Sequence, residues 1–413
     1  MIHSDTVVIG SGFAGLMSAL VSAKKGKKVT LLTCGSGTLS LNSGTIDILG
    51  YDAGHKYVSS PGKAIPDLPT NHPYHKIGLK LLEESIEFFL KVTEEYGLPY
   101  HGGLDKQILV PTGVGTLKPT GLAVDSMDSA RLAGMNKLVV AGIKGCKDFY
   151  GDMVAENIRK FLPQFEQCET ILIDTGLAVG RDITTLDAAR CMDSESGRKQ
   201  FLEQLKPHDG ADVGFLIPQI LGTENNQCAE IIKGRIDGKI VETTCLAPSV
   251  NGLRLKKLLM RALRSLGVDI IEDTKVIGAI KEDRRCTAVI AKASVREKKY
   301  YADKFILATG GFYSGGITMR EFEQPKEMIF NLPVWFPQGE ENWSNARLFS
   351  DKPQGYASTG ILTDESLCPV DDKGRRVYDN VHVVGRNLGG YDFCFEHSGN
   401  GVALASAYKA ACL

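Results

Sequence analysis

A glycine-rich turn near the amino terminus is the feature that most constrains the fold of this chain. An apolar run at 6–9 is followed by Gly10, Gly12 and Gly15, and then by an apolar stretch with helical spacing. This order predicts a buried strand, a tight turn and a helix whose first N–H groups can bind phosphate. The first glycine permits the turn, the second lets a pyrophosphate approach the backbone, and the third lets helix and strand pack closely.

The elements after the turn predict a helix over 12–25 and a second strand over 28–33. Dinucleotide enzymes usually place Asp or Glu at the end of this second strand, where the carboxylate binds the ribose hydroxyls. This chain has Thr33 at that position. A threonine hydroxyl accepts a hydrogen bond, but with less strength than a carboxylate. The sequence therefore predicts a phosphate site together with a weakened adenosine site.

Composition excludes several classes of function. Hydrophobic residues make up 43% and charged residues 23% of the 413 positions, which is ordinary for a soluble globular protein. The net charge of −1 gives no reason to expect nucleic acid as a partner. No apolar stretch approaches the roughly 18 residues of a membrane span, and the first strand leaves no room for a signal peptide. We therefore expect a cytoplasmic protein without a direct membrane span.

Ten cysteines are scattered along the chain, and none of them forms a C-x-x-C pair. Structural zinc and iron–sulfur clusters usually require such closely spaced ligands. The pattern predicts free thiols in a reducing compartment and no bound metal. Any iron–sulfur cluster that serves this protein should be carried by another subunit.

Two further strands end in small residues. One apolar strand ends in the segment 308–311, and another runs into a turn that begins at Gly385 and leads to a final helix near Gly401. Glycines after a buried strand let the backbone come close to a bound nucleotide. Together with the turn at 10–15, these strand ends should meet at one edge of a sheet. The three motifs together favour a flavin over a nicotinamide.

The expected domain organisation follows these motifs. The middle of the chain mixes short apolar runs with charged helical segments and has no motif that we can connect to chemistry. We interpret it as an inserted cap or substrate-type domain. The expected segments are a flavin-binding part at 1–105, the insertion at 106–245, a second flavin-binding part at 246–320, a cap return or loop at 321–360, and a carboxyl-terminal flavin-binding part at 361–413.

The chain resembles the fumarate reductase-like flavoproteins and, within them, the family of B subunits of bacterial anaerobic glycerol-3-phosphate dehydrogenases. The motifs that carry the resemblance lie at 41–49, 111–120, 252–255, 310–316, 363–367 and 389–392. The resemblance implies an α/β fold of the two-dinucleotide-binding flavoprotein type, a doubly wound parallel sheet with an inserted cap domain.

The same resemblance implies a function and partners. The protein would belong to a membrane-associated respiratory glycerol-3-phosphate dehydrogenase, which passes electrons from sn-glycerol 3-phosphate oxidation toward a quinone. A larger catalytic flavoprotein subunit and an iron–sulfur membrane-anchor subunit would be its partners. The chain would then lie on the cytoplasmic side of the cell membrane, attached peripherally through these partners.

The three motifs predict FAD as the cofactor, and FMN, which is recorded for the family, is the alternative. The residues expected to bind it are found at the three strand ends and in a loop after the second strand. They are Gly10, Gly12, Phe13, Ala14, Gly15, Thr33, Ser43, Gly44, Ala308, Thr309, Gly310, Gly385, Gly389, Gly390 and Gly401.

Four residues are weak candidates for a catalytic role. Fumarate reductase-like enzymes clamp a dicarboxylate with His and Arg, which makes Arg254, Arg386 and His397 candidates. Lys118 is a candidate to neutralise flavin N1 or a substrate anion. Each has a structural alternative: a solvated helix face for Arg254 and a surface position for Arg386, which could otherwise contact the flavin or its phosphates. His397 has the alternative of a turn residue bonded to backbone, and Lys118 that of a solvent-facing loop residue.

Three functional hypotheses follow. The first is electron relay or stabilisation of the complex, with substrate oxidised on the partner. The second is a free-standing flavin-dependent reductase of a dicarboxylate such as fumarate. The third is a non-catalytic assembly subunit with a degenerate flavin site, which the absence of a ribose carboxylate favours and the intact glycines oppose.

Overall fold

The computed structural model describes residues 2–413 except 166, 295, 321, 322, 349 and 351. Its strands are β1 (Ile2–Ile9), β2 (Val29–Leu32), β3 (Tyr100–Gly102), β4 (Ile108–Pro111), β5 (Leu117–Thr120), β6 (Leu122–Val124), β7 (Lys137–Ile143), β8 (Gln167–Ile173), β9 (Val213–Ile217), β10 (Lys239–Glu242), β11 (Asp269–Ile271), β12 (Lys275–Glu282), β13 (Arg285–Lys292), β14 (Glu297–Leu307), β15 (Ile317–Thr318), β16 (Lys326–Glu327) and β17 (Val381–Val383). Its α-helices are α1 (Phe13–Lys24), α2 (Pro61–Ala64), α3 (Pro73–Ile77), α4 (Leu79–Glu95), α5 (Gly151–Ile158), α6 (Thr185–Met192), α7 (Glu195–Leu205), α8 (Gln227–Lys233), α9 (Val250–Ser265), α10 (Phe393–Glu396) and α11 (Gly399–Cys412).

The chain divides into two units by its internal contacts. Unit 1 comprises Met1–Thr38, Asp47–Phe89 and Leu259–Leu413, and unit 2 comprises Leu39–Ile46 and Leu90–Leu258. The predicted insertion at 106–245 lies wholly within unit 2, which also takes in flanking segments on both sides. The finer domain boundaries stay predictions.

Unit 1 is built on one large sheet, in the order β11-β2-β1-β14-β13-β12, with β17 also paired to β14. Strands β11, β2, β1, β14 and β17 run parallel, whereas β12 and β13 form an antiparallel extension. Val7 and Val8 are fully buried because a parallel strand is covered on both faces. The small residues of α1 let it pack against α11, and this accounts for its almost complete burial. The predicted α/β flavoprotein fold with a parallel sheet is confirmed.

Unit 2 contains a separate sheet of four parallel strands in the order β10-β9-β7-β8. Its central strands, β7 and β9, are apolar and carry fully buried side chains such as Val139 and Phe215. Helices α5 and α7 pack against β8. The two-stranded antiparallel sheets β3-β6 and β4-β5 belong to the same unit. This unit therefore has a hydrophobic core of its own.

One predicted helix differs in the structure. Apolar spacing predicts a single helix over 75–96, but the chain forms α3 and α4 with Gly78 between them. Gly78 has a φ of 85°, a left-handed conformation that ends α3. A hydrophobic pattern cannot reveal this break because the apolar positions continue across it.

A buried ion pair organises part of unit 2. The Arg254 guanidinium donates to both carboxylate oxygens of Glu242, at 2.9 and 3.0 Å, and its Nε donates to the Gly222 carbonyl at 2.8 Å. Burial would raise the pKa of Glu242, but Arg254 and hydrogen bonds from Leu221 N–H and Ser126 outweigh it, so this pKa lies below its ordinary value. Arg254 is therefore not on a solvated helix face, the structural alternative that the sequence suggested.

Breaking this pair should destabilise the protein. Arg254→Met leaves the Glu242 carboxylate buried without its cation, so we expect a loss of about 3–5 kcal/mol in the free energy of unfolding. Chemical denaturation followed by circular dichroism measures it. The double variant Arg254→Met/Glu242→Gln removes the uncompensated charge and should recover part of the loss. A single variant as stable as the wild type would contradict the structural role.

The buried His382 makes a pH-dependent contribution to unit 1. Burial of the ring, with Lys304 and Arg376 nearby, lowers the pKa of His382 to about 4 from 6.5. The unfolded chain therefore takes up a proton at higher pH than the folded chain. The contribution of His382 to the free energy of unfolding is therefore fully present above pH 6.5. As the pH falls toward 4, the free energy of unfolding decreases by up to about 3 kcal/mol. Denaturation midpoints between pH 4 and 7 should fall less steeply in His382→Asn, and an unchanged slope would contradict this origin.

Neither membrane crossing nor metal binding is indicated in the parts of the chain that the structure describes. None of the helices there combines the length and the apolar character that a membrane span requires. Within the same residues, no three His, Cys, Asp or Glu side chains come together as a potential metal site.

Candidate functional site

The three motif-bearing strand ends meet at one edge of the unit 1 sheet. Ile9 is in register with Leu32 on one side and with Leu307 on the other, and Leu307 is in register with Val383. The pairing continues into the turns, since Gly10 N–H donates to Leu32 O at 2.8 Å and Ala308 N–H donates to Ile9 O at 2.9 Å. The convergence predicted from the motifs is confirmed. Parallel sheets characteristically bind ligands at this carboxyl edge.

A cavity of about 330 Å³ opens at this edge. Six predicted cofactor residues contribute to its wall: Gly10, Gly12, Thr33, Ala308, Thr309 and Gly310. The turn that begins at Gly385 contributes Arg386 and none of the predicted cofactor glycines. The charged side chains among its described lining residues are Lys275 and Arg386, both cationic. A cavity with two cations and no carboxylate in its described wall suits a ligand that carries phosphates.

Each glycine of the first turn has a different task. Gly10 has a φ of 108°, and a Cβ there would overlap the carbonyl oxygen of Ala308. A Cβ at Gly15 would overlap the carbonyl of Gly10, so these two glycines permit close packing. Gly12 differs because no atom lies within 4 Å of where its Cβ would be. The space beside Gly12 is thus left for a ligand.

The amino terminus of α1 adds to this phosphate site. Gly12 is its N-cap, no side chain caps the helix, and its first turn has no acidic residue. The N–H groups of the first turn therefore have no side-chain acceptor and carry the positive end of the helix dipole. Phe13 is buried edge-on against Phe89 at 5.8 Å, and Ala14 packs beside Gly385. Phe13 and Ala14 thus offer a ligand their backbone rather than their side chains.

Asn387, which sequence reasoning missed, connects the second and third turns. Its Oδ1 accepts hydrogen bonds from Thr309 Oγ1 at 3.0 Å and Gly311 N–H at 2.8 Å, and its Nδ2 donates to Leu307 O at 3.0 Å. The side chain is fully buried. An asparagine after Gly-Arg in a turn has no distinctive pattern, so this role becomes apparent only in three dimensions.

Arg386 lines the cavity and is held by aromatic rings. Its guanidinium carbon lies 4.3 Å from the ring centre of Phe393 and 5.9 Å from that of Tyr313. Such cation–π contacts restrict the long side chain while leaving its charge available. Of the four catalytic candidates, Arg386 is the one in the wall of this cavity.

The remaining carboxyl-terminal residues have packing positions. His397 follows α10 with a φ of 51°, and its ring meets Tyr51 edge-on at 4.9 Å. Gly401 N–H donates to Asp47 O at 2.8 Å, and a Cβ there would overlap the Tyr74 hydroxyl. The other three predicted glycines are also hydrogen-bonded within the protein. Gly389 N–H donates to Ile361 O at 3.2 Å, Gly390 N–H to Ser358 O at 3.0 Å and Gly385 N–H to Ser406 Oγ at 3.0 Å.

Besides Arg254, three predicted residues belong to unit 2: Ser43, Gly44 and Lys118. The Lys118 ammonium donates to Thr45 Oγ1 at 2.9 Å and to Ser43 Oγ at 3.4 Å, while the carbonyl of Gly44 accepts a 2.6 Å hydrogen bond from Tyr100. Lys118 lies on β5 and is half-buried. These residues form a cluster within their own unit, and their cofactor role stays a prediction.

Comparisons with known proteins agree with this geometry. The FAD binding domain family matches residues 5–402. The chain belongs to the FAD binding domain family. This flavoprotein is 30% identical to the probable B subunit of the anaerobic glycerol-3-phosphate dehydrogenase of Halobacterium salinarum, over 99% of this chain and 97% of that protein. It therefore also belongs to the family of these B subunits.

Two further proteins are similar to this chain. The B subunit of the Vibrio cholerae anaerobic glycerol-3-phosphate dehydrogenase is 28% identical, over 99% of this chain and 96% of that protein. Among solved structures, 3-ketosteroid Δ1-dehydrogenase from Sterolibacterium denitrificans matches 100% of this chain and 99% of that chain, with 12% identity and a TM-score of 0.49. From its family and its curated relatives, the protein is a flavin-dependent oxidoreductase of the FAD type, as the three motifs predicted.

The contrast between Gly12 and Gly15 can be tested directly. Gly12 has a φ of −69°, which alanine adopts freely, so Gly12→Ala should fold normally. Its methyl group would occupy the space left for phosphate, and we expect FAD to bind about ten-fold more weakly. Gly15→Ala should instead lower the free energy of unfolding by about 1–3 kcal/mol through overpacking. Flavin fluorescence titration and thermal unfolding measure the two effects, and equal stability losses in both variants would contradict the distinction.

Proposed function

We propose that this chain is the electron-relay flavoprotein subunit of a membrane-associated respiratory glycerol-3-phosphate dehydrogenase. The observation that carries the proposal is full-length similarity to proteins named as B subunits of that enzyme, combined with a carboxyl-edge cavity suited to a phosphate-bearing cofactor. In this role, a larger catalytic flavoprotein subunit oxidises sn-glycerol 3-phosphate to dihydroxyacetone phosphate. An iron–sulfur subunit anchors the complex to the inner face of the cell membrane, and the electrons continue to a quinone.

The residues of this chain bind the cofactor and adjust its surroundings. FAD, when bound, supplies a group that exchanges one or two electrons. The N–H groups of α1 and the space beside Gly12 would hold its phosphates. Arg386 adds a fixed positive charge to the cavity wall and would favour negative charge on the bound cofactor. Phe393 and Tyr313 keep this guanidinium in place.

The cavity wall favours relay over substrate oxidation on this chain. Removing hydride from an alcohol requires a group that accepts the hydroxyl proton, and this group is usually a histidine or a carboxylate. The described residues of the wall include neither. The proposal therefore assigns proton removal from the substrate to the partner subunit.

A dicarboxylate reductase is the weaker alternative. Such an enzyme needs a free arginine to clamp the substrate, and all three nitrogens of Arg254 already donate hydrogen bonds to Glu242 or Gly222. Arg386 is the other arginine candidate for a substrate clamp, and the relay proposal places it beside the cofactor instead. The roles of His397 and Lys118 stay predictions.

Purification of the chain alone and together with the two proposed partner subunits tests the proposal. The complete complex should reduce a quinone analogue with glycerol 3-phosphate, and omission of this chain should abolish that activity. Reduction of a soluble dye by the larger subunit should continue without it. Glycerol 3-phosphate oxidation or fumarate turnover by the isolated chain would overturn the relay role.

The Gly12→Ala variant separates relay from simple assembly. If this chain relays electrons, a complex that contains Gly12→Ala should assemble normally but lose quinone reduction in proportion to the lost flavin. Undiminished quinone reduction in a flavin-depleted complex would favour the assembly role. Vesicle flotation with and without the iron–sulfur partner tests the proposed peripheral attachment.

A further inference from the structure

A run of exposed lysines lies at the amino edge of the unit 1 sheet, the end at which the parallel strands β2, β11 and β17 begin. Lys24 and Lys25 close α1, and Lys27 and Lys28 lead into β2. The side chains of Lys25, Lys27 and Lys28 make no ion pair or hydrogen bond with the residues that the structure describes. The dipole of α1 favours cations at its carboxyl end, which accounts for the first two lysines. It does not account for the second two, which lie beyond the helix.

The register of the sheet brings a further cation to this edge. Thr6 is in register with Val29 at the start of β2 and, on its other side, with Lys304. The Lys304 ammonium donates to Ala410 O at 3.1 Å and has no carboxylate partner among the described residues. Burial lowers the pKa of Lys304, and the positive charge of Lys27 lowers it further. The cations of this edge therefore repel one another without a counter-charge between them.

A second cavity, of about 260 Å³, opens beside Lys304. The charged side chains of its described wall are Arg285, Lys304, Arg376, Asp303 and Asp379. Arg376 is paired with Asp364, whereas Arg285 and Lys304 have no carboxylate partner in the described part of the chain. The cavity therefore extends the positive charge of the lysine run, although the chain as a whole has a net charge of −1.

The amino edge is broad and also presents an apolar side chain. Strands β2, β1, β14 and β17 are consecutive neighbours, so the edge from β2 to β17 is about 15 Å wide. Leu266 is 37% exposed and precedes β11, in which Asp269 is in register with Thr30. A lipid surface offers an extended array of phosphates with an apolar layer beneath them. It matches the lysines and the leucine together, whereas nucleic acid offers no such layer.

We propose that the amino edge of unit 1 docks on the surface of an anionic phospholipid membrane, with Lys25, Lys27 and Lys28 contacting lipid phosphates. The proposal rests on the membrane association in the proposed function and assigns part of that contact to this chain. Long lysine side chains can reach the headgroups while the backbone stays above them. The cofactor cavity lies at the other end of the same strands, so it opens away from the lipid.

Flotation of the isolated chain with vesicles tests the proposal. The wild type should bind vesicles of phosphatidylcholine mixed with phosphatidylglycerol, less so as salt is raised, and should not bind pure phosphatidylcholine. Lys27→Gln/Lys28→Gln should weaken this binding by about five-fold for each lysine removed. Lys56→Gln/Lys63→Gln is the matched control, because it removes the same charge from exposed positions of unit 1 outside the amino edge. It should leave the binding unchanged.

Lysine acylation gives a readout that does not depend on affinity. Bound vesicles should slow the reaction of Lys25, Lys27 and Lys28 with a water-soluble acylating reagent, but not that of Lys56, as mapped by mass spectrometry. Equal protection of all four lysines, or equal binding of neutral vesicles, would overturn the proposal. Binding of polyglutamate without binding of anionic vesicles would also overturn it, in favour of an acidic protein partner.

The docking surface and the proposed function can fail separately. If the chain binds anionic vesicles as expected but the complete complex does not reduce a quinone analogue, the relay function is wrong and the docking surface stands. If the complex reduces the quinone analogue but Lys27→Gln/Lys28→Gln binds vesicles as tightly as the wild type, the docking surface alone is wrong.

Discussion

The parallel pairing of β1 with β14 is the constraint on which the cofactor site depends. It places Ile9 beside Leu307, and it brings the following turns so close that only glycine fits at position 10. Since β2 and β17 pair with these two strands, their registers are set by the same contact. The cavity is thus a consequence of sheet register, and seven of its 22 described lining residues are glycines.

The start of α1 explains how the site can attract phosphates with few charged side chains. N–H groups at the start of α1 supply positive potential without a flexible side chain, and they are fixed by the fold before any ligand arrives. The two cations of the described wall add to this potential, and the aromatic contacts of Arg386 reduce the cost of ordering it.

The sequence was sufficient for much of the fold because its strongest patterns are local. The strand, turn and helix around Gly10 and the three converging strand ends could be read from glycine placement and apolar runs. The break at Gly78 and the burial of Arg254 could not, because a glycine in a periodic helix is ambiguous and the partner of Arg254 is defined by tertiary packing. Asn387 escaped for the same reason, because its hydrogen bonds join segments that are distant in sequence and no spacing rule connects them.

Asn387 also has a consequence for how this protein changes over evolutionary time. The side-chain amide of Asn387 belongs to the turn that starts at Gly385 and hydrogen-bonds to the turn at 308–311. The positions of the two turns therefore depend on the same hydrogen bonds. A substitution that moves one turn leaves buried donors or acceptors unsatisfied in the other. We therefore expect descendants of this sequence to alter the two segments together or not at all. Selection should therefore act on these two segments as a single unit, although they are far apart in the gene.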